Sequence, residues 1–108
     1  MRMQDNFNIL LLTVEDILPA AKPPKIKLVA VDKSEVEDYW SFECVTKSSI
    51  ENFAFLIRNH LGEIVDQEAL SSESNYNKAL KKGNYKIWVS AVDTDGLSAS
   101  DEISIVVN

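Results

Sequence analysis

The chain contains few of the residues on which many folds and active sites depend. Its 108 residues include one cysteine, one histidine, three glycines and three prolines. A single cysteine excludes an intramolecular disulfide, so packing alone must hold the fold. One histidine among scattered acids is a weak basis for a transition-metal site, and no glycine-rich phosphate loop or nucleophile with a neighbouring base is present. The sequence therefore predicts a protein that is not an enzyme and requires no cofactor or metal ion.

The N-terminal region also lacks a long apolar run. Its apolar stretch extends only from Ile9 to Leu12, with Asp5 before it and Glu15 after it. A secretory signal needs a longer apolar stretch behind a positively charged start, and a membrane helix needs about 20 apolar residues. We expect a protein made in the cytoplasm, without a signal peptide and without a membrane partner.

Basic charge is scarce as well. The chain has eleven basic and seventeen acidic residues, which gives a net charge of −6. This balance disfavours nucleic acid and anionic membranes as partners, since both require a basic surface. The short acidic run at Glu35, Glu37 and Asp38 is typical of a solvated loop.

Alternation of apolar and polar residues is what the sequence has in quantity. From Lys25 onward, KIKLVAV, YWSFECV, ENFAFLIR, NYKIWVSAV and EISIVVN follow a period of two, which is typical of half-buried strands. GEIVDQE and a segment near Tyr76 add two shorter candidates. The pattern predicts an all-β, antiparallel sandwich of about seven strands. Its expected core contains Phe42, Phe55, Tyr85, Ile87, Val89 and Ile105, and Cys44 is expected to be a small buried hydrophobe.

From about Pro24 to Asn108 the chain resembles an immunoglobulin-like domain of the PKD kind, with fibronectin type III as the second choice. The segment KKGNYKIWVSAVDTDGLSASDEISIVVN carries the resemblance: Gly-x-Tyr, an alternating strand, Asp-x-x-Gly and a serine-rich return strand. Phe55 stands where that family has its core tryptophan, and FLIRNHLG stands in place of the family's Trp-x-Phe-Gly-Asp-Gly. The resemblance implies a sandwich over residues 25–108, but such folds host many functions.

Two candidate sites lie within the sandwich. Asp93, Asp95 and Asp101 surround Gly96, and such oxygen-rich turns sometimes hold calcium, although these residues are also ordinary turn formers. Trp88 is predicted to point away from the core, because Ile87 and Val89 point into it. It is either a partner-binding anchor or a ring that lies across a neighbouring strand.

The third candidate is an N-terminal arm, residues 1–24, which includes the stiff linker LPAAKPPK up to Pro24. The arm holds the apolar residues that we expect to bind a partner: Phe7, Ile9, Leu11, Ile17 and Leu18. So much apolar surface is not expected to stay in water. The arm therefore either docks on another chain or folds onto its own domain.

These features favour a structural protein that docks by its arm on a larger assembly and displays the sandwich. Small phage decoration proteins, also called auxiliary capsid proteins, resemble this arrangement. The expected partners are a capsid protein and neighbouring copies of the chain itself, and the expected location is the virion. The alternative is an adhesive or carbohydrate-binding immunoglobulin-like module at the cell surface, with Trp88 in its binding face.

Overall fold

A computed structural model describes residues 22–108. The described chain is all-β and contains no helix, which confirms the predicted fold class. The predicted arm lies outside the described residues except for its last three positions. The seven strands are β1 (Ile26–Asp32), β2 (Trp40–Thr46), β3 (Ile50–Asn59), β4 (Ile64–Ser71), β5 (Asn75–Lys78), β6 (Gly83–Asp93) and β7 (Ser98–Val107).

The strands form two antiparallel sheets. Sheet A has the order β1-β2-β5, and sheet B has the order β4-β3-β6-β7. The fourth strand pairs with the third strand, whereas in constant-type immunoglobulin domains it lies beside the fifth. The strands therefore form a seven-strand sandwich with a three-strand and a four-strand layer.

The core lies between the two sheets and follows the alternation in the sequence. On β6, every second residue from Tyr85 to Ala91 is buried, because successive side chains of a strand point to opposite faces. Five of the six predicted core residues are buried; Ile105 is half-buried, because it lies on the edge strand β7. Aromatic rings join the layers: the centroids of Phe55 on β3 and Tyr76 on β5 are 5.5 Å apart.

Polar contacts connect the sheets at both open edges. At one edge, the Leu28 amide on β1 donates a hydrogen bond of 2.9 Å to Asp101 Oδ2 on β7. At the other, Lys78 Nζ on β5 lies 3.5 Å from Asp66 Oδ2 on β4. Asp66 and Asp101 share the inner side of sheet B with Ile57 and Val89, their register partners. At each open edge, a carboxylate thus lies at the boundary between the core and solvent.

The antiparallel order gives the sandwich two distinct ends. One end carries the start of β1, the β2–β3 turn and the β6–β7 hairpin, and the opposite end carries the β1–β2 loop and the β3–β4 turn. The predicted hairpin at Gly96 is confirmed: this glycine has φ +86° and its amide donates to the Asp93 carbonyl. A strand of seven residues, such as β1, separates the two ends by about 20 Å.

Candidate functional site

Trp88 lies on the outer face of sheet B, as predicted. Its register partners are Leu56 on β3 and Glu102 on β7, and all three contribute to a shallow cleft of about 350 Å³. The indole is half-buried instead of fully exposed. Part of its surface therefore already packs on its own sheet, and part remains available to a partner.

A larger groove adjoins this cleft toward the β3–β4 turn. The groove has a volume of about 590 Å³, and Arg58, His60, Lys86 and Ser104 are among the residues that line it. Arg58 and Lys86 are direct register partners on β3 and β6, so two positive charges stand side by side. Like charges directly opposite one another destabilise a sheet. Within the described residues neither side chain forms an ion pair. Arg58 Nη1 donates a hydrogen bond of 3.0 Å to the Gly62 carbonyl, and Glu102 also lines the groove, so its lining carries both signs of charge.

The acidic hairpin uses its carboxylates to shape the backbone. Asp93 is only 9% exposed, and its Oδ1 accepts hydrogen bonds of 2.9 Å from the amides of Asp95 and Leu97. Asp101 pairs with Val89, four residues before Asp93 on β6 and thus roughly 13 Å away along the strand. Its two oxygens accept from the amides of Leu28 and Glu102.

These contacts support the reading of the aspartates as structural residues of the hairpin. In residues 22–108, no group of three histidine, cysteine or acidic side chains is close enough to hold a metal ion. The structure does not bring Asp93 and Asp101 into one ligand set.

Cys44 is buried on β2, as predicted, and is 2% exposed. Burial, together with the nearby charges of Glu43 and Asp101, raises the pKa of its thiol to about 11. A thiolate is the reactive form of cysteine. At neutral pH this thiol is protonated and shielded, which is the chemistry of a core residue and not of a nucleophile.

A second groove, not predicted from the sequence, lies at the start of β1. It has a volume of about 620 Å³, and Ile26 and Val45 supply apolar surface within it. We call it the lysine groove, because it is lined by four lysines and no acidic residue: Lys22, Lys25, Lys27 and Lys47. The lysines of KPPKIK indicate part of this groove in the sequence. Lys47 joins them only because β1 pairs with β2.

The opposite end of the same two strands carries the predicted acidic loop, residues 33–38, which is exposed. We call it the acidic knob. Its backbone is well ordered by hydrogen bonds: the Glu37 and Val36 amides donate to the Lys33 carbonyl. At its base, the hydroxyl and amide of Ser34 donate to Asp32 Oδ1, and these bonds lower the pKa of that carboxyl. Val36 is 89% exposed, so the knob presents an apolar side chain between Glu35 and Glu37.

The predicted partner-binding residues of the arm, Phe7, Ile9, Leu11, Ile17 and Leu18, lie outside the described residues. The end of the predicted linker is within them. Pro24 is buried, whereas Lys22 and Pro23 are exposed. The chain thus packs against the described structure from Pro24 onward, one residue before the predicted domain boundary.

Comparison with known proteins adds no relative. No protein-family model matches the chain, and no curated protein has a significantly similar sequence. Across residues 22–108 there is also no helix with the length and apolar character needed to cross a membrane.

Proposed function

We propose that this chain is a structural protein without enzymatic activity, which attaches to a larger protein assembly through residues 1–24 and displays its sandwich. The proposed assembly is a virion, and the proposed role is that of a decoration or auxiliary capsid protein. We further propose that the sandwich is related to PKD or fibronectin type III domains, on the strength of the C-terminal segment that resembles them.

The observation that carries this proposal is that the described sandwich closes its core with residues of its own strands. Its buried apolar side chains come from Leu28 to Val107, and both open edges have polar contacts between the sheets. We propose that the apolar residues of the arm contact a partner instead of this core. Burying an apolar side chain of this size contributes about 1.5–3 kcal/mol, but ordering each residue of the arm costs roughly 1–2 kcal/mol, so five such side chains leave at most a modest net gain.

The lattice of a particle would strengthen such an attachment. One arm supplies a modest net free energy, because the gain from burial and the cost of ordering nearly offset one another. Repeated contacts between neighbouring copies raise retention through effective concentration. Contacts with neighbouring copies would therefore strengthen an attachment that the arm provides.

The test compares the full chain with an arm variant, Ile9→Asp with Leu11→Asp, in cells that produce the native assembly. We expect the variant to have the same Tm as the full chain. In a density gradient, we expect it to be absent from the fractions in which electron microscopy shows particles. The matched control is Leu61→Asp, which places an acid at an exposed leucine of the β3–β4 turn. This control should sediment with particles as the full chain does.

The second part of the experiment uses a truncated chain that starts at Lys22. It retains the buried Pro24 and every strand. Loss of its cooperative melting would mean that residues 1–21 belong to the core of the sandwich. Unchanged sedimentation with particles would place the attachment on the sandwich. Either result contradicts the proposal.

The alternative function, a carbohydrate-binding or adhesive module, is supported by a different surface. Trp88 lies beside the groove that holds Arg58 and Lys86, and an aromatic ring next to cationic groups suits an acidic sugar. Titration with glucuronate, with glucose as the neutral control, distinguishes the two functions. Saturable shifts of the Trp88 indole resonance with glucuronate alone would favour the alternative.

A further inference from the structure

The lysine groove and the acidic knob carry opposite charges, and in each of them charged residues surround an apolar side chain. The groove has four lysines around the apolar side chain of Val45, which is 51% exposed, whereas Ile26 packs against the core. The knob has Glu35, Glu37 and Asp38 around the exposed Val36. Each surface thus combines an apolar centre with a charged rim, which is the common plan of protein interfaces.

A molecule cannot place its own knob in its own groove. The groove lies where β1 begins and β2 ends, and the knob joins the end of β1 to the start of β2. The two surfaces are therefore separated by the length of a paired strand, about 20 Å. Only the knob of another molecule can reach the groove.

We infer that the lysine groove is the docking site for the acidic knob of a second copy of this chain. Val36 packs against Val45 on the outer face of sheet A, and Glu35 and Glu37 approach the lysines of the rim. When each molecule gives its knob to one neighbour and its groove to another, the contact is heterologous and each end of the assembly keeps one free groove or one free knob. Repetition of the contact produces a row of molecules along the direction of β1.

The order of the knob favours this contact. A flexible loop would lose conformational freedom on binding, at a cost for each immobilised residue. The knob is already held by the Lys33–Glu37 ion pair of 3.8 Å, by the bonds to the Lys33 carbonyl, and by the Tyr39 hydroxyl, which donates to Glu37 Oε1. These contacts reduce the conformational freedom that the knob has left to lose on binding.

The charges of the groove and the knob predict that association depends on ionic strength. The chain carries a net charge of −6, so two copies repel one another on average. The head-to-tail arrangement brings the four lysines of one copy to the acids of the next and separates like charges. Exposed pairs of this kind are screened by salt, so the row forms at low ionic strength and dissociates at high ionic strength.

The experiment uses the full chain in sedimentation velocity over a concentration series that reaches the millimolar range. At low salt the average mass is expected to rise with concentration, and at high salt it is expected to return to that of one chain. A groove variant, Lys25→Glu with Lys27→Glu, and a knob variant, Glu35→Lys with Glu37→Lys, should each weaken self-association by about tenfold or more. The control, Lys81→Glu with Lys82→Glu, makes the same change in net charge at two exposed positions before β6 and should weaken association far less than the groove variant.

Mixing the two weakened variants is the decisive measurement. The lysine groove of the knob variant accepts the intact knob of the groove variant, and the two reversed surfaces also complement each other. The mixture should regain the association that each variant alone has lost. Val36→Ser, which changes no charge, should weaken the association of the full chain by severalfold.

Three results would overturn the inference. The first is a full chain that stays monomeric at every salt and protein concentration. The second is a mixture that associates no better than its components. The third is an association that the groove variant weakens and the knob variant does not, which would assign the groove to another acidic segment, residues 1–21 included. None of these results depends on attachment to a particle, so the inference and the proposed function fail separately.

Discussion

The backbone amide of Leu28 on β1 donates a hydrogen bond of 2.9 Å to the Asp101 carboxylate on β7, across the open edge between the two sheets. The two residues are 73 positions apart in the chain. Among residues 22–108, neither β1 nor β7 has a further strand beside it in its own sheet at this edge. One carboxylate therefore satisfies an edge amide and holds the first strand of the sandwich to the last.

We expect Asp101→Ala to lower the free energy of unfolding by about 1.5–3 kcal/mol, because it removes a charged acceptor from a part-buried amide. Urea denaturation followed by tryptophan fluorescence measures the change. The control is Glu102→Ala at the next position, where the side chain is exposed and the expected change is within about 0.5 kcal/mol. Equal losses for the two variants would contradict a bridging role for Asp101.

The Asp93 carboxylate holds the β6–β7 hairpin, so we expect Asp93→Ala to destabilise the fold by about 1–3 kcal/mol. Two backbone amides would lose their acceptor in a site that is 9% exposed. Asp95→Ala, at an exposed position of the same turn, should have little effect. A rise of many degrees in the Tm of the unmodified protein with millimolar calcium would instead make the aspartates metal ligands.

The thiol of Cys44 is expected to react slowly with a disulfide reagent at pH 8 in the folded protein and rapidly in urea. Its pKa is raised to about 11 by burial and by the neighbouring carboxylates, against 9.0 for an unperturbed thiol. Ionisation therefore favours the unfolded chain between these values: the stabilising contribution is complete below pH 9 and is lost as the pH rises toward 11. A folded-state labelling rate equal to that of the unfolded chain would contradict this burial.

The register pair of Arg58 and Lys86 is expected to reduce the stability of sheet B. Lys86→Glu replaces a like-charge pair by an opposite-charge pair and should raise the free energy of unfolding by about 0.2–1 kcal/mol at low salt. Thermal melts at low and high ionic strength measure it, and the gain should shrink as salt screens the charges. The comparison variant is Lys82→Glu, an exposed position before β6, which should show no such gain.

Much of the fold followed from the period of the sequence. Alternation along β6 identifies Ile87 and Val89 as buried and Trp88 as outward, because a strand turns successive side chains to opposite faces. The polar segment around Tyr76 was ambiguous between a loop and a short strand, and the structure places β5 there. Burial at an edge was harder to predict: Ile105 has the same alternation as Ile87, yet its strand has a neighbour on one side only.

Pairing between strands was beyond the sequence pattern. Nothing in NYNK indicates that β5 pairs with β2, because these two strands are distant in the chain and meet only in the folded sheet. The same limit applied to the lysine groove, whose Lys27 and Lys47 lie twenty positions apart and meet only through the β1–β2 register. The acidic knob was visible in the sequence as a charge run, but the complementary surface was not.

The sequence by itself determined the all-β class and excluded an intramolecular disulfide, because composition, cysteine number and residue period are local properties. Tertiary structure decided what the individual charges do. Asp101 and Asp93 look alike in DTDGLSASD, yet one joins two sheets and the other shapes a turn. Four lysines form one groove for the same reason: a side chain's role depends on which atoms fold against it, and strand pairing brings together residues that lie far apart in the chain.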